Sequence, residues 1–124
     1  MKENIIQQKS YKFAIEIIGI YRYLIEKKKE FVLSKQLLRS GTSVGANVEE
    51  AVGGQSKKDF VAKISIAYKE ARETKYWLSL IRDTGYMRQE ELNKVFDHCE
   101  EILKIIGKIQ KTAKDNLLKD KDNS

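Results

Sequence analysis

Proline is absent from this chain of 124 residues, and cysteine, histidine and tryptophan occur once each. Proline locks φ and removes a backbone donor, so its absence leaves long helices uninterrupted and argues against a loop-built fold. The single Cys99 excludes an intramolecular disulfide. A reducing, cytoplasmic setting is the natural reading of that usage. One histidine and one cysteine cannot make a metal site within one chain. His98 and Cys99 are neighbours, so on a helix their side chains diverge by about 100 degrees and cannot pair as base and nucleophile. Cys99 reads as a small core residue and His98 as a surface or interface residue. A Glu-x-x-His di-iron pattern fails because Val95 stands three residues before His98. The glycines of SGTSVGAN lack the strand and the Gly-Lys-Ser/Thr ending of a phosphate loop. No apolar run reaches the roughly 18 residues of a membrane span. The start MKENIIQQKSYK lacks the hydrophobic region of a signal peptide. These absences point away from an enzyme, and no cofactor, metal or membrane role is expected.

What is present is charge and helical periodicity. Hydrophobic residues make up 41% and charged residues 34%, with a net charge of +6. At this length a single domain is expected. The charge is not evenly spread. Residues 1–30 carry seven basic and four acidic side chains, residues 56–84 repeat that count, and the other two segments balance to zero.

Four helices follow from the apolar spacing. The first runs from about Asn4 to Lys29, with Ile6, Phe13, Ile17, Ile20 and Leu24 on one stripe and Ala14, Ile18, Tyr21 and Ile25 alongside. That band is too wide for one partner, so it should contact two helices or a second subunit. Ser34 is a fair N-cap for the second helix, which ends at Gly53 and Gly54. Ser56, with Asp59 three residues on, opens the third helix in a near capping box. Phe60, Ile64, Ala67, Ala71, Thr74, Leu78 and Ile81 form its inner stripe. It should end near Thr84, with Gly85 as a left-handed cap. The fourth begins near Arg88 with Glu90 and Glu91 in its first turn. Its inner stripe is Leu92, Phe96, Cys99, Leu103, Ile106 and Ala113. Residues 1–118 read as one all-α domain, an antiparallel up-down-up-down four-helix bundle. The charged tail 119–124 is expected to be disordered.

Within the second helix, Arg39, Ser40, Ser43, Asn47 and Glu50 recur at steps of three or four and therefore share one side. They suggest a buried polar network that sets register or subunit orientation, or a contact surface. Glu70 and Glu73 on the third helix could answer Arg39. Gly41 and Gly45 stand one turn apart, and a glycine inside a helix costs about 1 kcal/mol against alanine. Two together imply a neighbouring backbone packed close.

The run LLRSGTSVGANVEEA, followed by SKKDFVAKISIAYKEARETKYWLSLI, resembles the small four-helix-bundle proteins encoded in intervening sequences of bacterial 23S rRNA genes. The resemblance spans roughly residues 10–110. That family looks related to the accessory variability proteins of diversity-generating retroelements, pentameric barrels that bind nucleic acid and a reverse transcriptase. The resemblance implies a homopentamer with nucleic acid or a protein as partner.

Two functional readings result. In the first, a non-enzymatic oligomer associates with RNA or DNA through basic bundle ends. Loops one and three share an end of such a bundle, gathering Lys27, Lys28, Lys29, Arg82 and Arg88. Lys57 and Lys58 lie at the other end, in a first turn where positive charge opposes the helix dipole. The first and third helices are diagonal in such a bundle, so their excess charge need not form one patch. In the second reading the protein is an adaptor that docks another protein through exposed Tyr11, Tyr23 or Tyr86.

Overall fold

A computed structural model of the chain describes residues 4–122, and four helices account for nearly all of them. They are α1 (Ile5–Lys27), α2 (Leu33–Val52), α3 (Lys57–Asp83) and α4 (Gln89–Asp122). Cross-helix pairs show how they run. Gln7 of α1 meets Glu49 of α2, Ser40 of α2 meets Thr74 of α3, and Ser65 of α3 meets Gln110 of α4. Lys9 of α1 meets Glu101 of α4. Early residues face late ones at every seam, so neighbours are antiparallel and α1 lies diagonal to α3, α2 to α4.

The helix ends follow local chemistry, with three corrections. Asn4 caps α1 by accepting from Ile6 N and Gln7 N at 3.0 and 3.3 Å, but the helix ends at Lys27, not Lys29. Lys28 is the C-cap, and Lys29 adopts the left-handed conformation at φ 52°, a place that glycine usually takes. Ser34 is not the cap of α2. The helix begins at Leu33, two residues earlier than a Ser34 cap implies, and the Glu30 carboxylate does the capping, accepting from Val32 N, Leu33 N and Ser34 N at 3.1, 3.0 and 2.7 Å. A glutamate reaches three donors where serine reaches one, which leaves the Ser34 hydroxyl free to donate back to Glu30 O.

The third correction concerns the tail. Residues 119–122 are helical, and α4 continues unbroken to Asp122; Asn123 and Ser124 lie outside the described residues. No glycine or proline follows Gly107 to stop it, Lys119 and Lys121 suit its C-terminal dipole, and Lys57 ties Asp120 back to α3 at 2.5 Å. Ser56 caps α3 through Asp59 N at 3.0 Å, and Gly85 adopts φ 83°, as its spacing predicts.

Phe13, Ile17, Leu37, Val44, Ile64, Leu78, Leu92 and Ile106 form the centre of the core. Each such side chain contributes about 1.5–3 kcal/mol on burial. Both glycines lie against α1, but a neighbouring backbone is close only at Gly45; at Gly41 the neighbour is a side chain. A Cβ on Gly41 would lie 2.7 Å from two carbons of Ile17, and one on Gly45 would lie 3.3 Å from Ser10 O.

Candidate nucleic-acid interface

The α1–α2 turn is built around Glu30. It is buried, and its oxygens are spent on the three amides that open α2. Burial pushes its carboxyl up, but the hydrogen bonds from Leu33, Ser34 and Val32 outweigh that and hold it below the ordinary carboxylate range. Glu30 is therefore ionised, but its oxygens face the α2 amides and it makes no direct ion pair with the lysines beside it. Lys27, Lys28 and Lys29 are exposed, and none forms an ion pair with a described residue. Lys28 lies 5.9 Å from the centre of the Tyr23 ring, close enough for a cation–π contact. Immediately after them, Phe31 and Val32 are 56% and 71% exposed. A braced turn thus presents three cations next to an open aromatic ring.

The other predicted cations fare differently. Arg82 donates to Asp83 at 2.8 Å and stacks over Phe96 at 5.0 Å. Arg88 is held by Glu91, whose carboxylate also accepts from Arg88 N at 3.0 Å. That backbone bond holds the Glu91 carboxyl low, and the nearby Lys28 charge adds to it, which places the start of α4 beside the α1–α2 turn. Lys57 is engaged by Asp120, while Lys58 is exposed with no ion pair among the described residues. Of seven candidates, four make no ion pair among the described residues, and three of those adjoin in one turn.

The polar stripe of α2 resolves into separate contacts. Arg39 reaches both Glu70, at 3.1 Å, and Glu73, which also accepts from Trp77 Nε1 at 3.2 Å. Thr74 donates to the buried Ser40 hydroxyl at 2.9 Å, and Glu50 meets Lys63 at 3.4 Å. These pairs lock α2 against α3. Ser43 and Asn47 instead turn back to their own helix, donating to Arg39 O and Ser43 O. Cys99 is buried, and burial pushes its thiol up to about 12, so almost no thiolate forms near neutrality. His98 faces Glu16 of α1 at 2.5 Å, a pairing across the α1–α4 seam that no short-range pattern announces. Among the described residues no cluster of His, Cys, Asp and Glu suits a metal ion, and no helix is long and apolar enough to cross a membrane.

Comparison with known proteins agrees with this geometry. A crystal structure of a protein of unknown function from the S23 ribosomal protein family of Bacteroides thetaiotaomicron superposes with a TM-score of 0.86 at 47% identity, over 90% of this chain and 99% of that one. No curated protein matches. The family description "23S rRNA-intervening sequence protein" matches residues 2–108. With that span matched, the chain belongs to the 23S rRNA-intervening sequence protein family.

Proposed function

We propose that this protein is an oligomeric, non-enzymatic bundle that binds RNA through the α1–α2 turn. One observation carries the reading: Lys27, Lys28 and Lys29 stand exposed without an ion pair among the described residues beside exposed Phe31, while the carboxylate of the turn, Glu30, faces the α2 amides. Lysines supply phosphate contacts without reading sequence, and an open aromatic ring offers a stacking surface for an unpaired base. Binding of this kind is weakly selective and falls steeply with salt.

Assembly is supported by the outer face of α1. Tyr11, Ile15, Ile18 and Ile25 follow one another at steps of four, three and seven, and Tyr11 and Ile15 are 68% and 55% exposed. Ile18 and Ile25 are partly buried, and a heptad-like apolar stripe left open at Tyr11 and Ile15 suits a neighbouring copy. Five copies, as the resemblance to the pentameric accessory proteins implies, would repeat the lysine turn around a ring, and the formal charge would be five times +6.

The test is a triple substitution, Lys27→Gln, Lys28→Gln and Lys29→Gln, assayed by fluorescence anisotropy on a mixed-sequence single-stranded RNA. About tenfold or greater weakening at low salt is expected, with a log K against log salt slope smaller by about two. Unchanged affinity and slope would reject the turn as the RNA contact. An adaptor reading is favoured by one separate observation, an apolar groove between α3 and α4 at the opposite end.

A further inference from the structure

α4 is longer than the helices it packs against. Lys9 faces Glu101, so Ile5, four residues back along α1, is level with Ile105 on α4. From there α4 continues to Asp122, roughly 25 Å at about 1.5 Å per residue. Only the start of α3 accompanies it, held by the Ser65–Gln110 and Lys57–Asp120 contacts. The two helices form a ladder whose inner stripe outruns the described part of α1. Between them lies an open groove of ≈ 480 Å³, every lining residue of which comes from α3 or α4. Phe60, Ile109 and Ala113 make its floor, and Lys57 and Lys108 belong to its lining on opposite helices. None of this floor is fully buried, although it continues the core stripes of both helices.

The charge around the groove is net positive, and its charged lining residues are Lys57, paired with Asp120, and Lys108. Residues 89–101 of α4 carry Lys94 against Glu90, Glu91, Asp97, Glu100 and Glu101, a net of −4. Residues 104–122 carry six lysines against three aspartates, a net of +3. Lys104, Lys108 and Lys111 are exposed with no ion pair among the described residues. Two antiparallel helices with an uncovered apolar seam are completed by a third helix, and these lysines select the charge of its flanks.

We propose that the groove between the first turns of α3 and the last turns of α4 docks an acidic amphipathic helix of a partner protein. A second copy of this chain is a poor occupant. The exposed apolar residues of α1 and α3 are flanked by Lys12 and Arg22 and by Lys69 and Arg72, which would meet the groove's lysines with like charge. The proposal does not rest on RNA binding, since it uses the opposite end of the bundle.

The probe is a fluorescein-labelled synthetic peptide of about 15 residues, four turns of helix, with leucines at helical spacing and glutamates elsewhere. A matched peptide carries lysines in place of the glutamates. On the full chain at physiological salt, the glutamate peptide should bind about tenfold or more tightly than the lysine peptide. Ala113→Glu and Lys108→Glu should each weaken it by about tenfold with unchanged helical circular dichroism. Lys108 is exposed, so its substitution remains informative if Ala113→Glu perturbs folding. Equal affinity for the two peptides, or a glutamate peptide indifferent to both substitutions, would overturn the proposal. Displacement of the peptide by single-stranded RNA from the wild-type groove, but not after Lys27, Lys28 and Lys29 are replaced, would be competition from the far end and leave the partner class standing. Displacement that survives that replacement would assign the groove to RNA and overturn it. A change in solution mass on Ala113→Glu without peptide would assign the groove to a second copy, with the same result.

Discussion

Lys29 occupies a backbone conformation that disfavours its own side chain. At φ 52° a residue with a Cβ costs about 1 kcal/mol over glycine. Lys29→Gly should therefore raise stability by about 1 kcal/mol in urea denaturation while lowering RNA affinity. A loss of stability, or unchanged binding, would remove the functional reason for a lysine there. Next to it, Glu30 holds three amides, and Glu30→Ala should cost about 2 kcal/mol. The pH dependence has a definite sign. A carboxyl held below its ordinary value of 4.5 contributes fully above that value and loses its contribution as pH falls through the lower folded value. Acid should thus destabilise the native protein more than the alanine variant below about pH 4.5, measured by chemical denaturation at stepped pH. Neither role is legible in the sequence. KKKEF reads as a helix end followed by a connection, and only the folded turn shows which residue caps and which are left exposed.

At the α1–α2 seam, two small positions let α1 approach α2 closely. Gly41→Ala would press its methyl into Ile17, a β-branched side chain with little room to move, and should cost about 1–3 kcal/mol. Gly107→Ala is the control. Its Cβ would meet only the edge of Tyr68 at 3.4 Å, an ordinary contact, so the gain in helix propensity of up to about 1 kcal/mol should show. Thermal denaturation of both variants checks the contrast, and equal effects would contradict the close-approach account. The two glycines at one-turn spacing were readable as a packing signal from sequence. That Ile17 and Ser10 of α1 fill the space was not, since nothing local distinguishes α1 from the other helices as the partner. The Arg39–Glu70–Glu73 contact was legible for a similar reason: isolated charges beside apolar stripes on consecutive helices need partners when those stripes meet.

For the molecule as a whole, cations and exposed apolar side chains stand together at the α1–α2 turn, where Phe31 and Val32 follow the lysines, whereas Tyr11 and Ile15 lie apart on α1. On α1, Tyr11 and Ile15 are exposed and Ile18 is partly buried, while consecutive lysines without an ion pair among the described residues occur in the α1–α2 turn and others line late α4, as single cations do at Lys12, Lys35 and Lys69. Ile15→Glu should leave the helical signal intact and reduce the mass measured by light scattering to that of a smaller assembly. An unchanged mass would move the subunit contact to another face. Net charge alone did not reveal this arrangement. Counting residues placed equal positive excess in the first and third segments, yet Arg82 and Lys57 of the third are matched by Asp83 and Asp120, whereas Lys27, Lys28 and Lys29 of the first make no ion pair among the described residues.

The sequence by itself determined that this chain is four helices, where most of them begin and end, and most of the inward faces; on α4 the buried positions include Val95 and Ile102, while Phe96, Leu103 and Ala113 of the expected inner stripe are only partly buried. Periodicity, capping residues and glycine stops act within a few residues of one another, and the absence of proline removes the main competing signal. Tertiary structure decided the rest: which acids cap and which neutralise, how far α4 runs past its neighbours, and which lysines remain without a partner. Those outcomes depend on contacts between residues tens of positions apart, whose energies arise only when the helices meet and water is excluded between them.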